Sequence, residues 1–522
     1  MTRNTASEFI DAVEEHINRV AGSCSHKKGP LLADGLDLET GAPLVWKGHL
    51  LSNLACQQNV LRTLEALGTL TGENRYHQQA NRWIGYALEK LSDSASDLFY
   101  WGGHTSYDLL TDKPVLGNHE MKCVYPHYAY LYRMDADSTS QFIKAFWHTH
   151  IWDWSSLLFN RHGNYESWEE KWQTKFTGGP LPIVENSALS FVNTGSDLIL
   201  SGVMLHALAG DETPLRWAKH LLSRYDDIRH PETGLAGYQF NHRQPCRVRA
   251  SFKPPFDQRE DLNEATVVTN GVIRVRYGRA AVTWLNAAEA LSEKKAKPFR
   301  DLVTADLKAL VEHCYNWDDY CFYPAINDGT RLYPENTNEG VGYCSPAKLR
   351  KVPAEGLMFL SYARAFKVTG MELFRQMAFH LAEGMGWGNL QSAVDFESHT
   401  SPQSTEAWAN AGQNDACALF GLLELYTAIG EKVLLQSATS LGRHLQRRYQ
   451  VNGLMVSGER SGQTNIDSAL PLALLHLEAA SQGDRTELPA FYPNNTYFDP
   501  KVVIYHQANK KRAKGGNKQW LN

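Results

Sequence analysis

The strongest constraint on the fold is a repeat of two amphipathic segments joined by a short turn rich in Gly, Asn and Asp. Their apolar side chains recur three and four residues apart, which is the spacing of one helix face. In residues 50–67 these positions are Leu51, Leu54, Val60, Leu61, Leu64 and Leu67. Similar segments span 7–20, 76–91, 197–209, 214–225, 280–291, 298–314, 354–367, 372–384, 414–429, 432–448 and 468–480. The pattern predicts an all-α protein built from helical hairpins.

Helical hairpins that repeat six or seven times favour an α/α toroid, with an inner and an outer ring of helices. An irregular helical domain or an α-solenoid would also fit this periodicity. Alternation with period two is limited to 272–277 and 454–457, which predicts minor short strands. Long irregular segments interrupt the repeat at 22–46, 165–185, 233–261 and 323–352. In a toroid we expect these loops to meet at one face and form a cleft.

No change of composition marks a domain boundary, so residues 1–506 are predicted to form a single catalytic domain. Residues 507–522 contain Lys510, Lys511, Arg512, Lys514 and Lys518 with little that could pack, and we expect a flexible basic tail. Lys and Arg number 52 against 57 Asp and Glu, giving a net charge of −5. This balance argues against a nucleic-acid partner, which would require a basic surface.

Segments that would direct the chain to a membrane or out of the cell are absent from the sequence. There is no apolar run of about 18 residues, which a membrane-spanning helix requires. The N-terminal residues lack the apolar stretch and small-residue cleavage site of a secretory signal. Nothing indicates an oligomeric interface. We therefore expect a cytoplasmic monomer that makes no membrane contact.

One stretch, residues 98–168, concentrates polar chemistry. It contains six of the twenty histidines, namely His104, His119, His127, His148, His150 and His162, together with Glu120, Asp108, Asp153, Arg161 and many aromatic residues. Two imidazoles and one carboxylate with open positions suit a catalytic ion of the Mn, Fe, Co, Ni or Zn type. The spacing is not that of a helical zinc motif, so a histidine-rich aromatic core is the alternative interpretation. His119 and Glu120 are neighbours that point in different directions, so at most one is expected to be a ligand.

Several blocks resemble polysaccharide lyase family 2, the bacterial exo-acting pectate lyases. They are YWGGH at 100–104, HE with the following Lys and Tyr-Pro at 119–126, the run 152–163 that ends in NRHG, RHPETGLAGYQF at 229–240 and ALPLALLHL at 469–477. The blocks are spread over most of the chain, so the resemblance covers a whole domain. It implies an (α/α)7 barrel with long loops.

The resemblance also implies chemistry. The metal ligands would be His104, Glu120 and His162, and the ion a divalent transition metal, often Mn²⁺, with Co²⁺ or Ni²⁺ as alternatives. Arg161 would be the catalytic base, although an electrostatic clamp on a uronate carboxylate is the other interpretation. The substrates would be polygalacturonate and oligogalacturonides, cleaved by β-elimination mainly to an unsaturated disaccharide.

A polyanionic substrate also requires cations and sugar-stacking surfaces outside the metal site. Arg matches a carboxylate bidentately, so we expect substrate contacts from Arg274, Arg276 and Arg279. Lys122 follows the HE pair and is a further expected contact, and Trp101 is expected to stack on a sugar ring.

Three other functions fit parts of the sequence. A metal-independent glycoside hydrolase or sugar epimerase on a toroid is the first; a hydrolase would need two facing carboxylates, for which Asp153, Glu185 and Asp197 are available. A non-haem iron oxygenase would use two His and one carboxylate, but such sites usually occupy β-barrels and this chain is poor in strands. A non-enzymatic α-solenoid would leave the dense histidine stretch unexplained.

Overall fold

The structure, a computed structural model, describes residues 7–26, 29–46, 48–115, 117–179, 188–241, 248–338, 344–395, 415–456, 462–483 and 486–495. The tail at 507–522 lies outside these residues, as does Glu185, so both interpretations stay predictions. No helix within the described residues is long and apolar enough to cross a membrane.

Helices dominate the described part of the chain. They are α1 (Glu8–Cys24), α2 (Gln58–Thr71), α3 (Asn74–Lys90), α4 (Tyr128–Met134), α5 (Ala136–His150), α6 (Val192–Ala209), α7 (Glu212–Asp227), α8 (Asn270–Val272), a π-helix (Ile273–Ala280), α9 (Ala281–Glu289), α10 (Glu293–Cys314), α11 (Gly356–Thr369), α12 (Glu372–Gly384), α13 (Leu390–Asp395), α14 (Ala416–Ile429), α15 (Lys432–Tyr449) and α16 (Leu470–Gln482).

Seven helical hairpins within the described ranges close into a toroid. The inner helices are α2, α4, α6, α9 with the π-helix, α11, α14 and α16; from α4 onward each packs against the next, and α16 packs against α2. Between α2 and α4, the His127 backbone N–H donates to Gln58 and Arg133 pairs with Glu65. The outer partners are α3, α5, α7, α10, α12, α15 and α1, which packs on α16. The predicted (α/α)7 barrel is confirmed.

The ends of the helices follow from local chemistry. The side chains of Asp135, Asp211 and Asp415 accept hydrogen bonds from backbone N–H groups of the first turns of α5, α7 and α14. Such caps satisfy donors that the helix leaves without a partner. At the other end, α2 and α6 stop at Gly72 and Gly210, both in the left-handed conformation that glycine adopts without steric cost. Gly72, Gly210 and Asp211 lie in the turns of the sequence repeat.

The short strands form small two- and three-stranded sheets in the loops. They are β1 (Ser25–His26), β2 (Gly29–Leu32), β3 (Gly35–Asp37), β4 (Leu51–Ser52), β5 (Ser106–Asp108), β6 (Lys113–Val115), β7 (His119–Glu120), β8 (Ile151–Asp153), β9 (Leu158–Phe159), β10 (His162–Gly163), β11 (Val267–Val268), β12 (Tyr315–Asn316), β13 (Cys321–Phe322), β14 (Ala325–Ile326), β15 (Val352–Pro353), β16 (Gln450–Val451), β17 (Leu454–Met455) and β18 (Gln463–Asn465). Strands β16 and β17 pair as a hairpin, so the short strand expected near residue 454 is present.

The strand predicted at 272–277 is wrong, because Val272 ends α8 and residues 273–277 lie in the π-helix of the inner ring. The apolar residues Ile273 and Tyr277 are fully buried there. The arginines between them gave the sequence its alternation, but Arg274 forms an ion pair with Glu355, the residue before α11, and Arg276 forms one with Asp306 of α10. Period-two spacing over six residues does not distinguish a strand from such a helix.

Candidate metal centre

The antiparallel pair of β7 and β10 places two polar side chains opposite each other. In its register His162 faces Glu120, and Gly163 faces His119. The segment that ends in His104 joins the same edge, because the Gly103 N–H donates to the Glu120 carbonyl at 2.9 Å and Gly102 forms a parallel bridge with Glu120. Three segments that are distant in sequence therefore meet at Glu120.

Close backbone contact at Gly102 makes this junction possible. A Cβ at this position would lie 2.3 Å from the Glu120 carbonyl oxygen, and the φ of 109° is one that other residues rarely adopt. Asn53 holds the glycine from the other side. Its side chain accepts from the Gly102 N–H at 2.9 Å and donates to the Gly102 carbonyl at 2.7 Å.

The three side chains form a compact set of metal-ligating atoms. Within the described residues, His104, Glu120 and His162 each offer an atom within 4.8 Å of the other two. His104 Nε2 lies 3.3 Å from one Glu120 oxygen and His162 Nε2 lies 3.2 Å from the other. Glu120 is fully buried, whereas His104 is half-exposed. Two imidazole nitrogens and a carboxylate with an open side fit a catalytic transition-metal ion.

Two cations share the same carboxylate. Lys122 Nζ lies 2.7 Å from one Glu120 oxygen, and Arg161 Nε lies 3.1 Å from the other. Burial alone would raise the pKa of Glu120, but His162, Lys122 and Arg161 together lower it to about 2. Burial lowers the pKa of His104. An ionised carboxylate and a neutral imidazole are the forms that bind a metal ion.

The neighbour of Glu120 points into the core. His119 is completely buried and contacts Trp101 and His150 instead of the cluster. Adjacent residues on a strand face opposite sides, so the structure brings only Glu120 of this pair to the site.

A cavity of about 300 Å³ lies beside the cluster, and both Lys122 and Arg161 line it. Its other polar lining residues are Asn193, Tyr238, Glu264, Thr269 and Lys348. Sequence reasoning did not single out these five residues. Lys348 belongs to the irregular segment 323–352 and Tyr238 to the segment 233–261, both of which were expected to contribute to a cleft.

The predicted substrate-binding arginines do not line this cavity. Arg274 and Arg279 line a second cavity of about 420 Å³ near the starts of α11, α14 and α16. Arg274 makes two hydrogen bonds of 2.7 Å to Glu355. Arg279 donates to the backbone carbonyls of Pro493 and Asn494.

Two expected substrate contacts need correction. Arg276 is completely buried and forms an ion pair with Asp306, so its guanidinium reaches no cleft. Trp101 is also completely buried, with its indole N–H directed at His119, so it presents no face to a sugar ring. The sequence does not reveal that these side chains are buried, because the partner of each lies far along the chain. Asp306 is 30 residues after Arg276, and His119 is 18 residues after Trp101.

The fold is a closed helical toroid, and its His–Glu–His cluster lies beside a cavity that Lys122 and Arg161 line. This layout suits the active site of an enzyme. Comparison with known proteins identifies the group. The chain belongs to the family described as periplasmic pectate lyase, whose model matches residues 29–501. It is therefore a polysaccharide lyase of the pectate lyase type.

A curated relative is the pectate disaccharide-lyase of Dickeya dadantii (strain 3937), 28% identical over 545 residues that cover 94% of this chain and 92% of the relative. Similar solved structures include a family 76 glycoside hydrolase from a bovine Bacteroides thetaiotaomicron strain, with a TM-score of 0.42 at 13% identity, covering 92% of this chain and 78% of that one. Another is a sugar epimerase from a ruminal bacterium, with a TM-score of 0.45 at 14% identity, covering 72% and 85%.

The prediction of a cytoplasmic location is contradicted by the family, which is described as periplasmic. That prediction relied on the absence of a recognisable signal at the N-terminus.

Proposed function

We propose that this protein is an exo-acting lyase that cleaves polygalacturonate and oligogalacturonides by metal-assisted β-elimination, releasing mainly a 4,5-unsaturated disaccharide. The observation that carries the proposal is the meeting of His104, Glu120 and His162 with two cations at the edge of one cavity. The family supports the substrate, and the name of the Dickeya relative supports the disaccharide product.

β-Elimination at galacturonate requires removal of the weakly acidic C5 proton, next to the C6 carboxylate. Mn²⁺, or alternatively Co²⁺ or Ni²⁺, held by His104, Glu120 and His162 would act as a Lewis acid for the charge that develops on that carboxylate. Lys122 lies on the cavity side of Glu120 and would attract the uronate into the same position. The buried Glu120 stays ionised and keeps both histidines facing it.

Arg161 is the proposed base. It lines the cavity and is close enough to the ligands to reach a sugar bound among them. A guanidinium is normally protonated, so it would act as a base only through a transient neutral form favoured by neighbouring cations. The alternative is that Arg161 remains charged and clamps the uronate carboxylate.

The test follows absorbance of the C4–C5 double bond during incubation with polygalacturonate. We expect absorbance to rise with Mn²⁺, to stop with a chelator and to return when metal is restored. Reducing sugar without this absorbance would contradict elimination and indicate a hydrolase. Chromatography of the products would show whether disaccharide predominates.

Two variants separate metal binding from proton transfer. His162→Ala should lose bound metal and activity together, because it removes one ligand. Arg161→Ala should keep metal and lose activity, because it removes the proposed base and no ligand. Arg443→Ala, an exposed outer-ring arginine paired with Glu8, is the matched control. Substantial turnover by Arg161→Ala would exclude Arg161 as the base.

A further inference from the structure

Behind the metal cluster, a chain of buried hydrogen bonds links the segments that carry its ligands. Trp101 Nε1 donates to His119 Nε2 at 3.1 Å, His119 Nδ1 lies 2.9 Å from His150 Nε2, and His150 Nδ1 lies 2.9 Å from the Asn160 carbonyl oxygen. Trp101, His119 and His150 are completely buried. We call these three side chains the relay.

The relay has only one consistent arrangement of protons. An indole N–H can only donate, so His119 Nε2 must accept and its proton must sit on Nδ1. His119 then donates to His150 Nε2, which leaves the second histidine with its proton on Nδ1. That proton points at the Asn160 carbonyl, which can only accept. Both histidines are therefore neutral Nδ1–H tautomers, and every polar atom of the relay is satisfied.

The relay touches each segment that carries a ligand, close to the ligand itself. Trp101 precedes His104 by three residues, His119 is adjacent to Glu120, and Asn160 precedes His162 by two. The Asn160 side chain also accepts from the His162 backbone N–H at 2.9 Å. At Gly163, a Cβ would approach His150 Nε2 to 2.5 Å, so a glycine is needed for the relay to pass behind β10.

We propose that His119 and His150 are positioning residues, which fix the relative placement of His104, Glu120 and His162 before a metal ion binds. The inference rests on the proposed metal site. Neither histidine touches the ion or the substrate; both act through the backbone of the ligand segments. Outer groups that orient ligands typically contribute 10–100-fold to metal affinity, and the relay should contribute within that range.

The experiment measures Mn²⁺ affinity of the full chain by electron paramagnetic resonance of free Mn²⁺. His150→Phe removes both hydrogen bonds of His150 and should raise the dissociation constant 10–100-fold. His150→Gln can still accept and donate one bond each, and should restore most of the affinity. Phe374→Leu, a buried residue of α12, is the control for lost packing and should bind Mn²⁺ as the wild type does.

The possible results are distinguishable. If the wild type binds Mn²⁺, His162→Ala does not, and His150→Phe stays within twofold of the wild type, the positioning role is refuted and the metal site stands. If the wild type and His162→Ala bind equally, the metal site and the relay's role fail together. Should His150→Phe not fold, Trp101→Phe removes only the terminal donor and should weaken binding several-fold; unchanged binding would overturn the proposal.

A second readout needs no metal. Nitrogen-15 spectra of labelled histidine distinguish Nδ1–H from Nε2–H tautomers, and we expect both His119 and His150 to be Nδ1–H tautomers in the metal-free protein. In His150→Gln the His150 signal should disappear and the His119 signal should shift, because Gln replaces the imidazole that accepts from His119. Finding either histidine as the Nε2–H tautomer or as an imidazolium would contradict the relay.

Discussion

Replacing Arg276 with Met would remove one half of an ion pair inside the toroid. Arg276 Nε and Nη2 lie 2.8 and 3.1 Å from the two Asp306 oxygens, and Nη2 also donates to the Tyr225 carbonyl at 2.9 Å. Neither charged side chain is more than 1% exposed. The substitution therefore leaves a carboxylate buried without its principal partner.

The expected loss follows from these contacts. Breaking a buried ion pair typically costs about 3–5 kcal/mol, and two charge-assisted hydrogen bonds give a similar sum. Arg229 Nη1 remains 3.6 Å from Asp306 and offsets part of the cost. We expect the free energy of unfolding of Arg276→Met to fall by about 3 kcal/mol. Adding Asp306→Leu should recover most of this loss, since no buried charge then remains.

Urea unfolding followed by circular dichroism measures the loss, and absorbance kinetics on oligogalacturonate measure the effect on substrate. The KM of Arg276→Met should stay near that of the wild type below the unfolding transition. Arg274→Met is the matched control, because Arg274 lies in the same π-helix but is 36% exposed; its stability should fall by only about 1 kcal/mol. A tenfold rise in KM with unchanged stability for Arg276→Met would show that Arg276 contacts substrate.

Two further predictions address the junction at Glu120 and the α2–α4 contact. Gly102→Ala should lower both stability and Mn²⁺ affinity in titrations, because its Cβ would meet the Glu120 carbonyl; Gly72→Ala, with φ of 70° and no atom within 4 Å, should cost only about 1–2 kcal/mol and keep the metal. Burial would raise the pKa of Glu65, but His127 and Arg133 lower it from 4.5 to about 2, so its stabilisation is present above pH 4.5 and lost as pH falls towards 2. Urea unfolding measures the free energy of unfolding of the wild type and of Glu65→Gln at each pH. The difference between the two should shrink as the pH falls from 4.5 towards 2. A difference that stays constant would contradict the lowered pKa of Glu65.

The helical hairpins could be predicted from sequence because each buries one face and leaves the 3.6-residue spacing visible. Helix α5 is not among the predicted helical segments, although its apolar residues Phe142, Ile143, Phe146 and Trp147 have helical spacing. Its two histidines have the composition of a metal site, which is the other interpretation of the same residues. In the structure His150 supports the site from behind and His148 stacks on Trp168. The Asp135 cap was a usable signal for the start of this helix.

The metal cluster could be predicted only through the resemblance of its motifs. Strands β7 and β10 have two residues each, too few for periodicity to reveal, and they pair across about 40 residues of chain. The relay and the Arg276–Asp306 pair could not be predicted from the sequence either, because their partners are also distant along the chain. A buried polar residue is recognised by its partner, and those partners come from other segments of the toroid.

The contacts of Glu120 predict that Arg161→Ala changes the affinity for Mn²⁺ and does not merely keep the metal. The carboxylate that would bind the ion already interacts with Lys122 and Arg161, and each of these cations would repel a bound divalent ion. Removing Arg161 lowers that repulsion and removes one contact of a carboxylate oxygen that also lies 3.2 Å from His162 Nε2. Two unit charges about 4 Å apart interact by about 1 kcal/mol when well solvated, and a divalent ion doubles this to about 2 kcal/mol. Arg161→Ala should therefore bind Mn²⁺ about thirtyfold more tightly while losing elimination activity. Weaker binding would mean that Arg161 serves chiefly to hold Glu120 in place, and its loss of activity could then not be assigned to proton transfer.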